Sequence, residues 1–446
     1  MYNDFLYKSN YLLLKLLEEP GGYSFFPSSF FWKNNINNEK IKDIFIDFFI
    51  SDNVNIDGEY NKVNLYIHIP FCYKICSYCN CFKMMLKNEA QIDKYLDFLE
   101  KEAILLIGLN NHIKIKINTI FIGGGTPNLL SLDQFNKLFI IIDKYFDKSS
   151  LDQFMVDCHP NFLNKNKIDL FYKNGINRLT IAIQTLDKKV LIKNNRDYYN
   201  LEDLKSNIDL LKKYGIKINI DILIGLNGQI FDSIKKDIDF FIKLGVDNIS
   251  DHYLMISNNI KYKFDADYQK LFNSVKKYLL GIKFKNNSEN LQENYFVSKK
   301  SSTISLGSNA VNNLFSGIIY GKPKLSEYYK ALNDGIIPFE KGLLVSLKIE
   351  KIKYIYLNIL KGIDIDRYYL IFSSNIFKDF QSEFNFLTKL NIISLNGNII
   401  SSNKNDYETL LHFNIFLLKF IKSSKVDFDI KNLNLFFNQN GDLLDK

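Results

Sequence analysis

The sequence predicts an α/β fold in which six β/α units form an open partial barrel. An N-terminal extension and a C-terminal, mostly helical module flank this barrel. Over residues 63–260, short apolar runs alternate with longer amphipathic segments, a pattern that indicates βαβ units and a parallel sheet. The alternation fades after residue 261. Because parallel α/β barrels carry their chemistry at the carboxyl ends of the strands, we expect the functional residues just after these strands.

The predicted strands are short and rich in branched apolar residues. They cover Asn64–Ile69, Thr119–Ile122, Phe154–Cys158, Leu179–Gln184, Ile218–Ile224 and Asn248–Met255. Helices are predicted between them, at Glu89–Leu106, Leu132–Phe146, Asn166–Asn174, Leu201–Tyr214 and Phe231–Leu244. Six units are fewer than the eight that close a parallel barrel, so we expect an open one.

The first 62 residues form the N-terminal extension. Apolar periodicity predicts helices at Phe5–Leu17 and Ile41–Phe49, and Gly21–Trp32 between them is expected to form turns and an extended aromatic stretch. Residues 261–342 are expected to complete the barrel on its substrate side, with Ser305–Phe315 as a turn region.

Residues 343–446 are expected to form a winged-helix-like lid domain. Two helices should precede a hairpin at Ile392–Ser402, where Asn396 and Gly397 give a strong turn signal, and a long helix should run to Ile421. The hairpin segment contains no Lys or Arg. We therefore expect a lid or packing role for it, in preference to contact with DNA.

Composition restricts the class of protein. The chain has 446 residues, of which 46% are hydrophobic and 24% charged, so it can bury a large core. The net charge of +8 permits an acidic substrate but is too evenly spread to predict nucleic-acid binding. No apolar run reaches the roughly 18 residues that span a membrane, and no signal peptide begins the sequence. These features predict a cytoplasmic protein without a membrane partner; we expect a monomer.

Four of the five cysteines, Cys72, Cys76, Cys79 and Cys81, are crowded into one segment, with the spacing C-x3-C-x2-C-x-C directly after the first strand. Disulfide frameworks spread their cysteines along small secreted chains, so this crowding indicates metal binding. Structural zinc usually takes two well-separated ligand pairs, whereas an iron–sulfur cluster readily takes its thiolates from one loop. Zinc and simple electron transfer remain the alternatives. Cys158 is expected to be a buried structural residue.

Polar and glycine residues follow the other predicted strands. The segment Phe121–Pro127 reads FIGGGTP, in which the glycines would let the backbone approach a ligand closely; a tight turn is the simpler interpretation. Asp157 and Gln184 end the next two strands, Asp221 lies in the fifth strand, and Arg196 follows Gln184 by one short helix. Capping, loop solvation and surface charge are the alternatives. No residue stands out as an acid, a base or a nucleophile, and we expect packing to orient His68.

The spacing of Cys72, Cys76 and Cys79 resembles that of the radical S-adenosylmethionine (SAM) superfamily. The resemblance implies a partial barrel of the radical SAM type, with a [4Fe–4S] cluster that has one open iron. It also implies one or two SAM molecules and a radical that takes a hydrogen atom from the substrate. The segments YIHIPFC, IGGGTP, GINRLTIAIQTLD and INIDILIGL narrow the resemblance to the coproporphyrinogen III oxidase-like family. That family includes oxygen-independent coproporphyrinogen III oxidases, haem-chaperone relatives and methyltransferases.

Three features resemble the oxidases in particular. They are Cys81, the segment Tyr23–Ser29 and the helix–hairpin–helix pattern from Leu343. The resemblance implies oxidative decarboxylation of two propionates of coproporphyrinogen III to vinyls, in porphyrin and haem biosynthesis. It implies a tetrapyrrole substrate and a reductant such as flavodoxin or ferredoxin. A methyltransferase and a haem-binding chaperone are the alternative functions.

The resemblance also implies roles for individual residues. Three cysteines would ligate the cluster, and Cys81 would not: Cys72, Cys76 and Cys79. The residues implied to contact the cluster-bound SAM are Tyr66, Gly124, Asp157, Met255 and Val311. Those implied to face a second SAM or the substrate are Tyr78, Gly125, Thr126, Gln184, Arg196 and Asp221.

The chain departs from the family pattern in three places. Asp157 stands where the family usually has Glu, so the carboxylate is one methylene shorter. Asp251–Ile256 lacks the Asn-Tyr-Ala-His stretch of the oxidases. The stretch that includes Glu293–Asn309 is about 25 residues shorter than the oxidase spacing predicts. Because that segment helps to form the substrate side, the sequence leaves the substrate open.

Overall fold

The computed structural model describes residues 36–50, 62–254, 266–281, 301–314, 317–345, 347–359 and 362–403. Several expectations lie outside these residues. They are the helix Phe5–Leu17, the segments Gly21–Trp32 and Tyr23–Ser29, Met255, the first part of Glu293–Asn309 and the helix to Ile421.

Seven parallel strands form the centre of a ten-stranded sheet. They are β1 (Lys62–Ile69), β2 (Thr119–Gly124), β3 (Gln153–Cys158), β4 (Arg178–Gln184), β5 (Lys217–Ile224), β6 (Asn248–Tyr253) and β7 (Ser301–Leu306). Their order across the sheet is β6-β5-β4-β3-β2-β1-β7. The first six confirm the predicted strands, and β6 is an edge strand, so the barrel is open as predicted. The sequence analysis missed β7 because two of its few residues, Thr303 and Ser305, are polar side chains that are buried.

Three antiparallel strands extend the sheet beyond β7. They are β8 (Val311–Asn313), β9 (Gly317–Gly321) and β10 (Phe339–Leu344). The expectation of a turn region at Ser305–Phe315 is therefore correct only for residues 307–310, which turn the chain from β7 into β8.

Helices cover the outer face of the parallel strands. The helices before and around the barrel are α1 (Asn38–Ile50), α2 (Ala90–Leu109), α3 (Leu132–Tyr145), α4 (Lys165–Lys173), α5 (Lys188–Lys193), α6 (Leu201–Lys213), α7 (Phe231–Leu244), α8 (Ala266–Gly281) and α9 (Leu325–Asn333). They confirm the five predicted barrel helices and the one at Ile41–Phe49. Local signals set their ends: Ser131 caps α3 in a reciprocal capping box with Gln134. Within the described residues, no helix is both long and apolar enough to span a bilayer.

The two faces of the sheet differ in chemistry. On β5, Ile218, Ile220 and Ile222 are buried in the apolar core that includes the helices. The alternate residues Asn219 and Asp221 point to the other face, because successive strand side chains alternate. This inner face is polar on neighbouring strands too, and its groups bond to one another: Asn219 donates to Thr180 Oγ1 at 3.4 Å. The interior of the open barrel is therefore suited to polar ligands.

The C-terminal module has an apolar core of its own. It contains α10 (Leu347–Asn358), β11 (Ile363–Asp364), α11 (Ile365–Phe372), α12 (Ile376–Lys389), β12 (Ile393–Asn396) and β13 (Ile399–Ser402). The hairpin predicted at Asn396–Gly397 is confirmed, and Gly397 has the positive φ of 61° that the turn requires. Three helices precede it where two were expected. The division of the chain at residues 62, 260 and 342 remains our proposal.

Candidate active site: a cavity at the carboxyl ends of the strands

A cavity of about 520 Å³ lies at the carboxyl ends of β1 to β6. It is lined by residues of the cysteine segment, the glycine turn and the strand ends, as the strand-end argument predicts. The predicted residues in the lining are Cys72, Cys76, Tyr78, Cys79, Gly124, Gly125, Thr126, Asp157, Gln184, Arg196 and Asp221. Tyr66 and Val311 are buried outside this lining, and Met255 lies outside the described residues.

The cysteine segment is a loop closed at its base. Phe71–Cys72 pairs with Met84–Met85, and the Leu86 amide donates to the Cys72 carbonyl at 2.9 Å. At the tip, the Cys79 amide donates to the Cys76 carbonyl at 3.3 Å. The closed base and the tight tip fix the backbone from which the thiols project.

Each thiol has a different polar neighbour. Thr126 Oγ1 donates to Cys72 Sγ at 3.4 Å, and burial raises the pKa of Cys72 to about 11. Arg196 Nη1 donates to Cys76 Sγ at 3.6 Å. A hydrogen bond from the Cys81 thiol lowers the pKa of Cys79 to about 6 and raises that of Cys81. All five cysteines are free thiols, so the loop offers thiolates to a metal group.

The thiol arrangement bears on the kind of metal group the loop could hold. Cys72, Cys76 and Cys79 come from one loop and line one cavity. In a [4Fe–4S] cluster each thiolate binds its own iron, so three thiols of one loop that face a common cavity suit it. The donor set therefore fits an iron–sulfur cluster.

The glycine turn packs backbone against backbone on the cysteine loop. The Thr126 amide donates to the Phe71 carbonyl at 2.8 Å. A Cβ at Gly125 would lie 2.7 Å from the Phe71 carbonyl oxygen and 2.9 Å from Cys72 Sγ. Gly124 has a φ of 117°, which side chains rarely allow. The glycines thus form a tight turn whose backbone lies directly against the thiols. The ligand-approach and tight-turn interpretations are compatible.

His68 connects β1 to the far side of the cysteine loop. Its Nε2 lies 3.0 Å from the Phe82 carbonyl oxygen, and its Nδ1 lies 2.8 Å from the Tyr66 hydroxyl. Burial lowers the pKa of His68 to about 4, so the ring is neutral near pH 7. Because a carbonyl only accepts, Nε2 carries the proton and Tyr66 donates to Nδ1. Hydrogen bonds at both nitrogens orient His68, and its ring also packs against Tyr66 and Phe82, as expected from the sequence.

Two buried polar atoms in the cavity lining lack a hydrogen-bond partner. The guanidinium of Arg196 donates from Nη2 to the Ala182 carbonyl, but its Nε has no hydrogen-bond partner. Asp157 Oδ1 is also buried without one, and burial together with the charge of Asp221 raises the pKa of Asp157 well above its usual range. Buried polar groups are nearly always satisfied. Two such groups lining one cavity therefore indicate a polar ligand, and surface charge is excluded as the explanation of Arg196.

The end of β4 is locally strained. Gln184 has a φ of 69°, and the pairing with β5 shifts register between Ala182 and Gln184. Such irregularities redirect a side chain at the rim of a sheet. They place Gln184 in the cavity lining.

Several titratable residues of the cavity lining could not be singled out from the sequence, and His252 is one that pairs with a predicted residue. His252, in β6, lines the cavity, and its Nε2 lies 3.3 Å from Asp221 Oδ1. Strand alternation was the available signal, since Asn248, Ser250 and His252 fall on one face of β6.

We call Cys72–Phe82 with Gly123–Thr126 the cysteine end of the cavity, and Asp221 with His252 the dyad end.

Comparison with known proteins agrees with this geometry. Residues 66–241 match the family model of the radical SAM superfamily. The haem chaperone HemW of Bacillus subtilis (strain 168) is 34% identical over 193 residues, which cover 43% of this chain and 50% of the relative. The oxygen-independent coproporphyrinogen III oxidase of Helicobacter pylori (strain J99) is 24% identical over 377 residues, covering 77% of this chain and 80% of the relative. The chain thus spans about half the length of the first of these relatives.

The overall fold has a match among solved structures. Coproporphyrinogen III oxidase (HemN) from Escherichia coli aligns with a TM-score of 0.70 and 18% identity, over 91% of this chain and 97% of that one. The aligned part of the chain is therefore much longer than the residues that match the family model. Radical SAM proteins typically bind a [4Fe–4S] cluster and SAM, which the thiol loop and the polar cavity fit. Residues 66–241 thus form a radical SAM domain, and the chain is similar over most of its length to proteins of the coproporphyrinogen III oxidase-like family.

Proposed function

We propose that the chain is an oxygen-independent oxidase of coproporphyrinogen III or of a closely similar tetrapyrrole carboxylate. One observation carries the proposal: a single cavity is lined by the three-thiol loop and by two residues that each carry a buried polar atom without a hydrogen-bond partner, Asp157 Oδ1 and Arg196 Nε. The length of the aligned region supports an oxidase, because the alignment with the oxidase relative covers 77% of the chain and that with the chaperone relative covers 43%.

In this proposal the cysteine end holds the cofactors. Cys72, Cys76 and Cys79 ligate the [4Fe–4S] cluster, and the backbone of Gly124 and Gly125 lies against SAM. When bound, the reduced cluster and SAM supply an organic radical that removes a hydrogen atom from carbon.

Two polar side chains that line the same cavity as the cysteine loop would orient SAM. Arg196 suits its carboxylate and Asp157 its ribose hydroxyls, because charge-assisted hydrogen bonds are strong in a buried site. Gln184, Asp221 and Tyr78 face a second SAM or the substrate. Tyr66 supports the site from behind through His68.

The proposed reaction balances for each propionate. One hydrogen atom leaves the β-carbon, the carboxylate leaves as CO2, and one electron passes to a one-electron acceptor; a vinyl group remains. A small reduced redox protein such as flavodoxin or ferredoxin would supply the electron that starts each cycle. The acidic substrate is compatible with the net charge of +8.

A haem chaperone is the second candidate function. The higher identity to HemW, 34% over 193 residues, favours it. Cys81 favours the oxidase, because chaperone-like relatives usually have an aromatic residue at that position. A radical SAM methyltransferase remains a third possibility, motivated by the shortened segment before Asn309.

The test is anaerobic turnover. The protein is reconstituted with iron and sulfide and incubated with dithionite, SAM and coproporphyrinogen III. We expect 5′-deoxyadenosine together with a divinyl product. Formation of 5′-deoxyadenosine without any vinyl product would refute the substrate assignment, and S-adenosylhomocysteine would indicate a methyltransferase. Haem that stays bound through gel filtration, without turnover, would indicate a chaperone.

A further inference from the structure

A chain of hydrogen bonds crosses the inner face of the barrel and ends at the cavity. It begins at Asn248, which donates to Ser250 Oγ at 3.4 Å and also to the Asn219 side chain. Ser250 donates to Asn219 Oδ1 at 2.9 Å. Asn219 then donates from Nδ2 to Asp221 Oδ1 at 2.9 Å. The orientation of Asp221 is thus set by three side chains behind it.

The last member of this chain is His252. Its Nε2 lies 3.3 Å from Asp221 Oδ1, the oxygen that Asn219 also contacts. The His252 side chain is 42% exposed, while that of Asp221 is 13% exposed. A buried carboxylate that holds an imidazole fixes its orientation and stabilises its protonated form. Because Nε2 faces Asp221, Nδ1 is the nitrogen that a ligand in the cavity can reach.

The dyad end and the thiols belong to different strands of the sheet. His252 lies near the end of β6 and the cysteine loop follows β1, with four strands between them in the sheet order. Both nevertheless line the same cavity. Cofactors held at the cysteine end would therefore leave the dyad end to another part of the reacting complex.

We propose that His252, oriented by Asp221, contacts the substrate and binds one of its carboxylate groups through Nδ1. This inference rests on the proposed function, since it takes the substrate to be a carboxylate. In this role Asp221 positions the imidazole of His252, because its Oδ1 contacts both Asn219 Nδ2 and His252 Nε2. A protonated imidazole donates a charge-assisted hydrogen bond to a carboxylate, which is among the stronger polar contacts in proteins.

The surrounding charges determine the pH response. The cavity that His252 lines also carries four carboxylates and three cations: Asp157, Asp197, Asp221 and Asp251, and Lys74, Lys83 and Arg196. Burial lowers the pKa of His252, but the charge of Asp221, its hydrogen bond and the charge of Asp251 outweigh burial, so the pKa is raised above 6.5. Carboxylate binding should therefore persist above pH 6.5 and weaken as the pH rises further and His252 loses its proton.

The experiment measures binding directly. Coproporphyrin III, the stable fluorescent tetracarboxylate, is titrated into the reconstituted holoenzyme between pH 6 and 9, beside its tetramethyl ester. We expect His252→Gln to weaken coproporphyrin III binding roughly tenfold at pH 6 and to flatten the pH profile. Binding of the ester should change little. Asp221→Asn should move the pH profile to lower pH, because the carboxylate that favours the protonated ring is gone. His112→Gln, an exposed histidine elsewhere, is the matched control.

A second measurement separates this inference from the proposed function. The five histidines are labelled with ¹³C, the His252 resonance is assigned by its loss in His252→Gln, and propionate is added. If wild type binds coproporphyrin III and His252→Gln binds it equally well, the inference is wrong and the proposed function stands. If wild type does not bind it but propionate shifts the His252 resonance, the inference stands and the tetrapyrrole assignment is wrong. If neither occurs, both are wrong.

Discussion

The two ends of the cavity are built in different ways. The cysteine end is made of two short continuous segments that pack backbone against backbone, and Gly125 leaves no room for a side chain. The dyad end is made of single side chains from β5 and β6 that are joined by hydrogen bonds. Close packing of backbone against backbone tolerates few substitutions, whereas a hydrogen-bond network of side chains can be altered by substituting one residue at a time. We infer that the first end preserves a common cofactor chemistry and the second adapts the chain to its substrate.

Removing a thiol should have the largest effect on the cysteine end. Cys76→Ala is expected to abolish the brown chromophore of the reconstituted protein and all formation of 5′-deoxyadenosine, because the cluster loses one of three ligands. Visible absorbance and iron content measure this. Cys158→Ala, at the buried end of β3, is the control and should retain both. Absorbance of Cys76→Ala equal to wild type would refute the cluster assignment.

Filling the glycine turn should be nearly as damaging. In Gly125→Ala the added Cβ would meet the Phe71 carbonyl and Cys72 Sγ below 3.0 Å, so the cysteine loop must shift. We expect reduced iron content and a loss of about 1–3 kcal/mol in unfolding free energy. Gly281→Ala is the matched control, since no atom lies within 4 Å of its Cβ position. Equal iron content in both variants would show that the close packing is not required.

A buried carboxylate behind the cysteine end should make stability depend on pH. Glu102 accepts hydrogen bonds from the Gly307 amide and the Tyr328 hydroxyl, both at 2.7 Å, and burial raises its pKa to about 7. Its stabilising contribution is complete below the unfolded-state pKa of 4.5 and is lost as the pH rises through 7.

Glu102→Gln keeps a neutral acceptor at this position and should remove that pH dependence. Relative to wild type, the variant should gain on the order of 2 kcal/mol between pH 5 and 8. Denaturant unfolding at both pH values measures it, with the exposed Glu89→Gln as control. An unchanged difference between Glu102→Gln and wild type at the two pH values would contradict the buried, protonated state.

Substitution of Arg196, in the lining of the cavity, should have the smallest effect. Arg196→Lys keeps the charge but cannot contact both Cys76 and the Ala182 carbonyl as the guanidinium does. We expect SAM to bind roughly tenfold more weakly to the reconstituted protein, as measured by equilibrium dialysis. Arg367→Lys, in α11 of the C-terminal module, should bind SAM as wild type does. Unchanged affinity in Arg196→Lys would remove Arg196 from the SAM site.

The same contrast explains what the sequence could predict. Cys72, Cys76, Cys79 and the glycine turn are contiguous motifs, so their spacing alone indicates their chemistry. Asp157, Gln184 and Asp221 could be predicted to share the cavity because each lies on a neighbouring strand of one parallel sheet, two of them at its carboxyl end. His252 could not be singled out from spacing, because its importance depends on the register between β5 and β6 that sets it beside Asp221.

Polar strands and distant contacts limited the remaining predictions. Strand β7 could not be predicted because its buried residues on the inner face are the polar Thr303 and Ser305. A search for alternating apolar residues does not detect such a strand. The hydrogen bonds of His68 to Tyr66 and Phe82 depend on how the cysteine loop folds back on β1. Val311 pairs with Tyr320 in the antiparallel extension, outside the lining of the cavity, and its contact with SAM remains a prediction.

In the proposed reaction, a radical generated at the cysteine end removes a hydrogen atom from a propionate side chain of a substrate that is bound at the dyad end. The most direct measurement uses coproporphyrinogen III deuterated at the β-carbons of its propionates. Under anaerobic turnover with dithionite and SAM, the account predicts 5′-deoxyadenosine that carries one deuterium, with CO2 released in equal amount. Unlabelled 5′-deoxyadenosine without release of CO2 would contradict it.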